Sequence, residues 1–209
     1  MKQVIKICGM RDPANVVDIA ALKPDLLGFI FHVASPRFVG DSLVIPSTLK
    51  AEQRVGVFVD ADFETIEKIR KQHELGWIQL HGHESVGTVQ AGHARGWKII
   101  KAFSVNNQFD FSTTEAFAPY CDYFLFDTKG PQPGGNGRVF DWGLLNQYNG
   151  HTPFLLSGGL RADMATAIKS FQHPLLAGYD FNSGLEMSPA IKSVELVANV
   201  MNALKREML

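Results

Sequence analysis

The sequence predicts an α/β chain folded as a single (β/α)8 (TIM) barrel domain over residues 1–209. Three observations predict it. Eight short apolar runs recur along the chain, most of them continuously apolar, as strands buried on both faces are. Helical patterns fill most of the gaps between them. The length of 209 residues lies near the lower bound of about 200 for this architecture. A doubly wound open sheet competes, since periodicity does not separate the two; the strand count favours the barrel.

The runs are Val4–Cys8, Leu26–Phe31, Val55–Val59, Trp77–Leu80, Lys98–Phe103, Tyr123–Phe126, Pro153–Leu156 and Leu175–Tyr179. Asp12 followed by Pro13 reads as an N-cap and a first-turn proline, opening a helix over Ala14–Leu22. A second helix is expected over Asp62–His73, with Ile66 and Ile69 at helical spacing, and others over Ala162–Phe171 and Val194–Leu204. Only partial helical signals follow Phe31 and Phe103. No stretch is rich enough in Ser and Pro to be a domain linker.

Composition narrows the function classes. Lys plus Arg number 20 and Asp plus Glu 21, a formal charge of -1, which argues against a nucleic-acid partner. No apolar run reaches the roughly 18 residues of a membrane helix, and Lys2 and Lys6 interrupt the N-terminal apolar residues, so neither a membrane anchor nor a signal peptide is expected. Two cysteines build no disulfide framework, and the seven histidines are scattered rather than set at zinc spacing. A cytoplasmic monomer without a metal is the expectation.

In a (β/α)8 barrel the ligand site lies at the C-terminal ends of the strands. Cys8 ends the first run, just before a helix whose positive end would favour a thiolate. Ser35-Pro36-Arg37 follows the second run, and a rigid turn presenting a guanidinium suits a carboxylate or phosphate. His81 directly follows the fourth run as a candidate donor to a ligand hydroxyl. Asp127 follows four apolar residues, where a carboxylate is costly unless used or paired, a setting that suits a general acid. The Gly- and Pro-rich stretch Lys129–Arg138 reads as a long loop over the site. Ser157-Gly158-Gly159-Leu160 and Asp180-Phe181-Asn182-Ser183-Gly184 follow the last two runs, the usual place for a phosphate held by backbone N–H groups. Cys121 precedes a strand, at the opposite face, and reads as structural. Lys6 and Lys101 read as pointing along their strands.

With these residues in view, the chain resembles the phosphoribosylanthranilate isomerases of tryptophan biosynthesis. Lys6-Ile7-Cys8-Gly9, Ser35-Pro36-Arg37, Val55-Gly56-Val57-Phe58, Gln79-Leu80-His81-Gly82, Phe126-Asp127-Thr128, Phe140-Asp141-Trp142, Leu156–Leu160 and Ser183-Gly184-Leu185-Glu186 follow in family order. The resemblance implies an Amadori rearrangement of a phosphosugar substrate without a cofactor. It implies Cys8 as general base, Asp127 as general acid, and Arg37 on the anthranilate carboxylate. Gly158, Gly159, Asn182 and Ser183 would hold the phosphate, and His81, Gly135 and Asp180 are expected as further substrate contacts. Two departures stand out: Gly134-Gly135-Asn136-Gly137 where the family reads Gly-Gly-Ser-Gly, and Phe181-Asn182-Ser183-Gly184 where it reads Val-Ser-Ser-Gly. The alternatives are a related indole-forming synthase, a metal-dependent pentulose-phosphate epimerase, and a barrel that binds a phosphosugar without turnover. The first needs a catalytic glutamate that is not matched, the second a His/Asp cluster that is not seen. The third would give no reason for Cys8 and Asp127 at strand ends.

Overall fold

The computed structural model describes residues 3–41, 43–128 and 142–205. The eight apolar runs become eight parallel strands: β1 (Val4–Ile7), β2 (Leu26–Ile30), β3 (Arg54–Phe58), β4 (Trp77–Leu80), β5 (Lys98–Val105), β6 (Tyr123–Thr128), β7 (Phe154–Ser157) and β8 (Leu176–Phe181). Each pairs with its sequence neighbours, and β8 returns to β1 with Lys6 opposite Asp180 and Ile7 opposite Phe181, closing the barrel. Closure decides between the two arrangements left open by periodicity.

The strand ends shift in a way that matters for the site. β8 runs two residues beyond the predicted run, so Asp180 is a strand residue rather than part of the following loop. Ser157 likewise ends β7, and Asp127 lies within β6.

Alternation along the strands sorts side chains into two cores. Ile5, Ile7, Leu27 and Phe29 point outward and pack with Val16, Ile19, Val197 and Val200 of the helices. Cys8, Leu26, Val55, Val57, Ile100, Ala102, Leu125 and Leu155 fill the barrel interior.

The helices are α1 (Pro13–Ala21), α2 (Phe63–Gln72), α3 (Val86–Ala94), α4 (Ala165–Ser170) and α5 (Val194–Lys205). Asp12 caps α1 by accepting from the Asn15 N–H at 2.8 Å, with Pro13 in the first turn as expected. Asp62 caps α2 through the Thr65 N–H at 2.8 Å. α3 is a helix the sequence reading did not identify. Its cap is orthodox, Ser85 accepting from the Thr88 N–H, but only Val89 and Gly92 are buried, too few to write a helical stripe. Between β2 and β3, and between β5 and β6, the described chain forms only 3-10 turns, in keeping with the weak signals there. A two-stranded hairpin, β9 (Glu186–Ser188) and β10 (Ile191–Lys192), follows β8 over the C-terminal mouth of the barrel. Asn15 of α1 ties it down, exchanging two hydrogen bonds with the Lys192 backbone at 2.8 and 2.9 Å. None of the described helices is long and apolar enough to cross a membrane.

Candidate active site

The strand ends converge on one cleft of about 320 Å³, a volume suited to a small organic ligand. Cys8, Arg37, His81, Asp127, Gly158, Gly159, Asp180, Asn182 and Ser183 all line it. Nine of the ten candidate site residues therefore meet in one place. Gly135, with the rest of the long loop including Asn136, lies outside the described residues.

Asp127 enters from β6 and Cys8 from the end of β1, three strands apart around the closed barrel. The two groups thus reach the cleft from different sides. The Asp127 carboxylate is partly exposed, and its Oδ2 stands 3.5 Å from His81 Nε2. His81 is oriented in turn by Gln79, whose Nε2 lies 2.7 Å from His81 Nδ1. With the amide nitrogen as donor, Nδ1 accepts and the ring proton sits on Nε2, facing Asp127. Gln79 Oε1 is buried and has no hydrogen-bond partner among the described residues. A ligand hydroxyl donating into the cleft would satisfy it.

Cys8 is 3 % exposed, and its own N–H is held by the Phe181 carbonyl at 2.8 Å. Burial pushes its thiol up, the ammonium groups of Lys6 and Lys192 offset only part of that, and Asp180 adds to the rise. The cations facing the sulfur are therefore lysine side chains, where the sequence suggested a helix terminus. Lys6 is fully buried inside the barrel and bonds Asp180 Oδ1 at 2.9 Å. Burial opposes its charge, but Asp180 and Cys8 outweigh that and hold it protonated. The expectation that Lys6 merely points along its strand is corrected. By contrast, burial pushes the Cys121 thiol up to about 12, as suits a structural cysteine.

Arg37 projects from the turn after β2, where the Ser35 hydroxyl accepts its N–H at 3.1 Å. Its guanidinium makes a fork with Glu186 of β9, Nε to Oε1 at 2.8 Å and Nη2 to Oε2 at 2.6 Å. Glu186 also accepts from Lys192 Nζ at 2.7 Å and from the Ala190 N–H at 3.1 Å. Burial would raise its carboxyl, but Arg37 and Lys192 dominate and hold it down at about 2. Lys192 also reaches Asn182, bonding its Oδ1 at 2.8 Å and its carbonyl at 3.2 Å.

The two glycine-rich ends form the opposite wall. Gly158 and Gly159 adopt φ of 97° and 64°, a left-handed turn open to glycine. A side chain at Gly184 would collide with the Leu160 carbonyl oxygen, so this glycine lets the two turns touch. Ser183 begins a short 3-10 turn, Ser183–Leu185. Among the described residues no group of three or more His, Cys, Asp or Glu is placed to hold a metal.

A model of the family described as N-(5'-phosphoribosyl)anthranilate (PRA) isomerase matches residues 5–203. The chain belongs to that family. The phosphoribosylanthranilate isomerase of Parabacteroides distasonis is 42% identical over 205 residues, 96% of this chain and 93% of that one. That of Phocaeicola vulgatus is 40% identical over 206 residues, covering 98% and 99%. The crystal structure of the Thermotoga maritima isomerase superimposes with a TM-score of 0.81 at 28% identity, over 97% and 98% of the two chains. A phosphoribosyl anthranilate isomerase solved with reduced 1-(o-carboxyphenylamino)-1-deoxyribulose 5-phosphate superimposes with a TM-score of 0.80 at 26% identity and the same coverage.

Four residues that sequence reasoning did not assign now stand at the site: Lys6, Gln79, Glu186 and Lys192. Lys6 and Gln79 carried a signal, a polar residue inside an apolar run. Glu186 stood in a motif of the resemblance without a role assigned to it, and Lys192 carried no signal, because the hairpin that brings them to Arg37 and Asn182 was not visible.

Proposed function

We propose that this protein is a phosphoribosylanthranilate isomerase of tryptophan biosynthesis. It converts N-(5'-phosphoribosyl)anthranilate to 1-(o-carboxyphenylamino)-1-deoxyribulose 5-phosphate. One observation carries the reading beyond family membership: a thiol and a carboxyl enter one cleft from separate strands, between a guanidinium and two glycine turns. That is the donor set an N-linked phosphoribosyl amine with a carboxylate requires.

In this reading Asp127 donates its proton to the furanose ring oxygen. The ring C–O bond breaks and the anomeric carbon becomes the Schiff base of the aryl amine. The Cys8 thiolate removes the C2′ proton, and the C–H electron pair forms the enolamine. Tautomerisation to the ketone completes the isomerisation, with no net change in protons or electrons. Each positioned proton transfer contributes roughly 10² to 10⁴-fold. The His81 Nε2–H steadies Asp127 when it becomes the carboxylate. Arg37 takes the anthranilate carboxylate while Glu186 holds the fork in place, and Gly159, Asn182 and Ser183 offer backbone N–H groups to the phosphate. We also assign the protein to the cytoplasm, acting as a monomer.

The test is turnover of phosphoribosylanthranilate by the folded protein, followed as loss of substrate fluorescence. Steady turnover supports the assignment, and folded protein without turnover overturns it.

A further inference from the structure

Lys6 is a fully buried charge beneath the cleft that the proposed chemistry does not use. It is 0 % exposed and lies below the residues that line the cavity, so it meets a ligand only through Cys8 and Asp180. Its ammonium bonds Asp180 Oδ1 at 2.9 Å and faces the Cys8 sulfur across Gly28. Space for this arrangement comes from β2. A Cβ on Gly28 would stand 2.7 Å from Cys8 Sγ and 3.2 Å from Lys6 Nζ, closer than neighbours without room to shift allow. The strand opposite the sulfur and the ammonium is thus emptied to fit both.

The charges around the sulfur come from four elements. Lys6 lies on β1, Asp180 on β8, Lys192 on β10, and Arg37 on the turn after β2. Glu186 serves both Arg37 and Lys192. His81 and Asp127 face Asp180 from the far side. Next to Cys8 the basic groups Lys6, Lys192 and Arg37 outnumber the two acidic groups that bond them, Asp180 and Glu186, with Asp127 lying beyond Asp180. A thiolate at Cys8 would complement that local excess. A buried anion is costly unless such compensation is built in.

We propose that Lys6 is a positioning residue that makes the Cys8 thiolate attainable inside the barrel, and that Asp180 sets how strongly Lys6 does so. Asp180 fixes the ammonium in place and also repels the thiolate. The inference rests on Cys8 being the base of the proposed isomerisation, but the sulfur's ionisation can be read without any substrate.

The experiment follows far-ultraviolet thiolate absorbance against pH in the ligand-free protein, with Cys8→Ala as baseline so that Cys121 cancels. Lys6→Met should move the Cys8 midpoint up by at least about one pH unit, a tenfold loss of thiolate at fixed pH. Asp180→Asn should move it down, since the cation stays and the opposing carboxylate is gone. A pair with a merely structural role predicts similar effects from both variants, because each breaks the same ion pair. Shifts of one sign, or no shift in either, would overturn the proposal. If Lys6→Met does not fold, Lys6→Met/Asp180→Leu replaces the pair by apolar side chains and carries the same upward expectation. Opposite shifts in a protein that fails to turn over phosphoribosylanthranilate support this inference while overturning the proposed function. Normal turnover without the shifts overturns this inference alone.

Discussion

Two lysines lie inside apolar strands of this barrel, and each is buried against a carboxylate. Lys101 of β5 points to the outside of the barrel wall. Its ammonium meets Glu84 Oε2 at 3.0 Å and three carbonyls, those of Leu80, Gly82 and Ala102. Glu84 is equally well served, accepting from the N–H groups of Asp60 and Gly82. This pair pins the turns after β3 and β4; the other hydrogen-bond partners of Lys101 are backbone carbonyls, and the Phe103 and Phe117 rings lie near its ammonium. Lys6 points to the inside, where its partners are Asp180 and the Cys8 sulfur. The same two chemical groups, equally buried, therefore do different things. A pair bonded to backbone acceptors holds a turn, and although Lys101 also bears on Cys121, that thiol lies away from the cleft; Lys6 instead faces a thiol that lines it. Burial of a charge marks neither role by itself.

The largest expected effect lies on the inner side. Cys8→Ala and Asp127→Asn should each lower kcat by at least about 10²-fold, with substrate affinity and unfolding midpoint close to wild type. Steady-state kinetics beside urea unfolding checks this. Near wild-type turnover in either variant removes that residue from the mechanism. An intact fold with lost chemistry is the signature that should separate this face from the wall.

The wall pair should give the reverse. Glu84→Gln leaves the Lys101 ammonium buried with carbonyls alone, a change that typically costs about 3–5 kcal/mol. Urea unfolding should show that loss, while kcat of the remaining folded protein stays within a few-fold of wild type. A variant of full stability and poor turnover would erase the distinction drawn between the two pairs.

How much of this could be read from the chain follows from where the partners lie. Strands buried on both faces write themselves as continuous apolar runs, so all eight were legible, as were the ends that carry Cys8, Asp127 and the two glycine turns. α3 was not, because a helix burying only Val89 and Gly92 leaves no stripe. Lys6 was visible as a residue but not as a role. Its carboxylate is 174 positions away and is brought beside it only when β8 closes on β1. Arg37 was correctly placed at the cleft, yet its fork with Glu186 spans 149 positions and depends on a hairpin with no local signal. Local sequence reports local burial; ion networks report closure of the fold.

That hairpin network supplies a pH-dependent test. Glu186 sits at about 2 in the folded protein against an ordinary value near 4.5. Its folded value is depressed, so its contribution is complete above the unfolded value and is lost as pH falls from about 5 toward 2. The shift corresponds to roughly 3 kcal/mol of stability at neutral pH. Unfolding free energy measured across that window should fall less steeply in Glu186→Gln than in wild type. Equal slopes would mean that the Arg37–Glu186–Lys192 set contributes no net stability.

The smallest effect should come from Asn182, one of the two positions read as departures from the pattern the resemblance implies. Its side chain accepts from Lys192 at 2.8 Å, and its carbonyl accepts from the same ammonium at 3.2 Å. In Asn182→Ser the shorter side chain gives up the first bond, but Lys192 keeps Glu186 and the Asn182-position carbonyl. Loss of one hydrogen bond to a charged group whose other partners remain costs about 1 kcal/mol. The backbone N–H groups proposed to hold the phosphate do not depend on the side chain. Stability should therefore drop by that amount while KM stays within about twofold. A large rise in KM with unchanged stability would instead place the Asn182 amide on the phosphate, and the substitution of asparagine for the family's serine would then be part of how this enzyme grips its substrate.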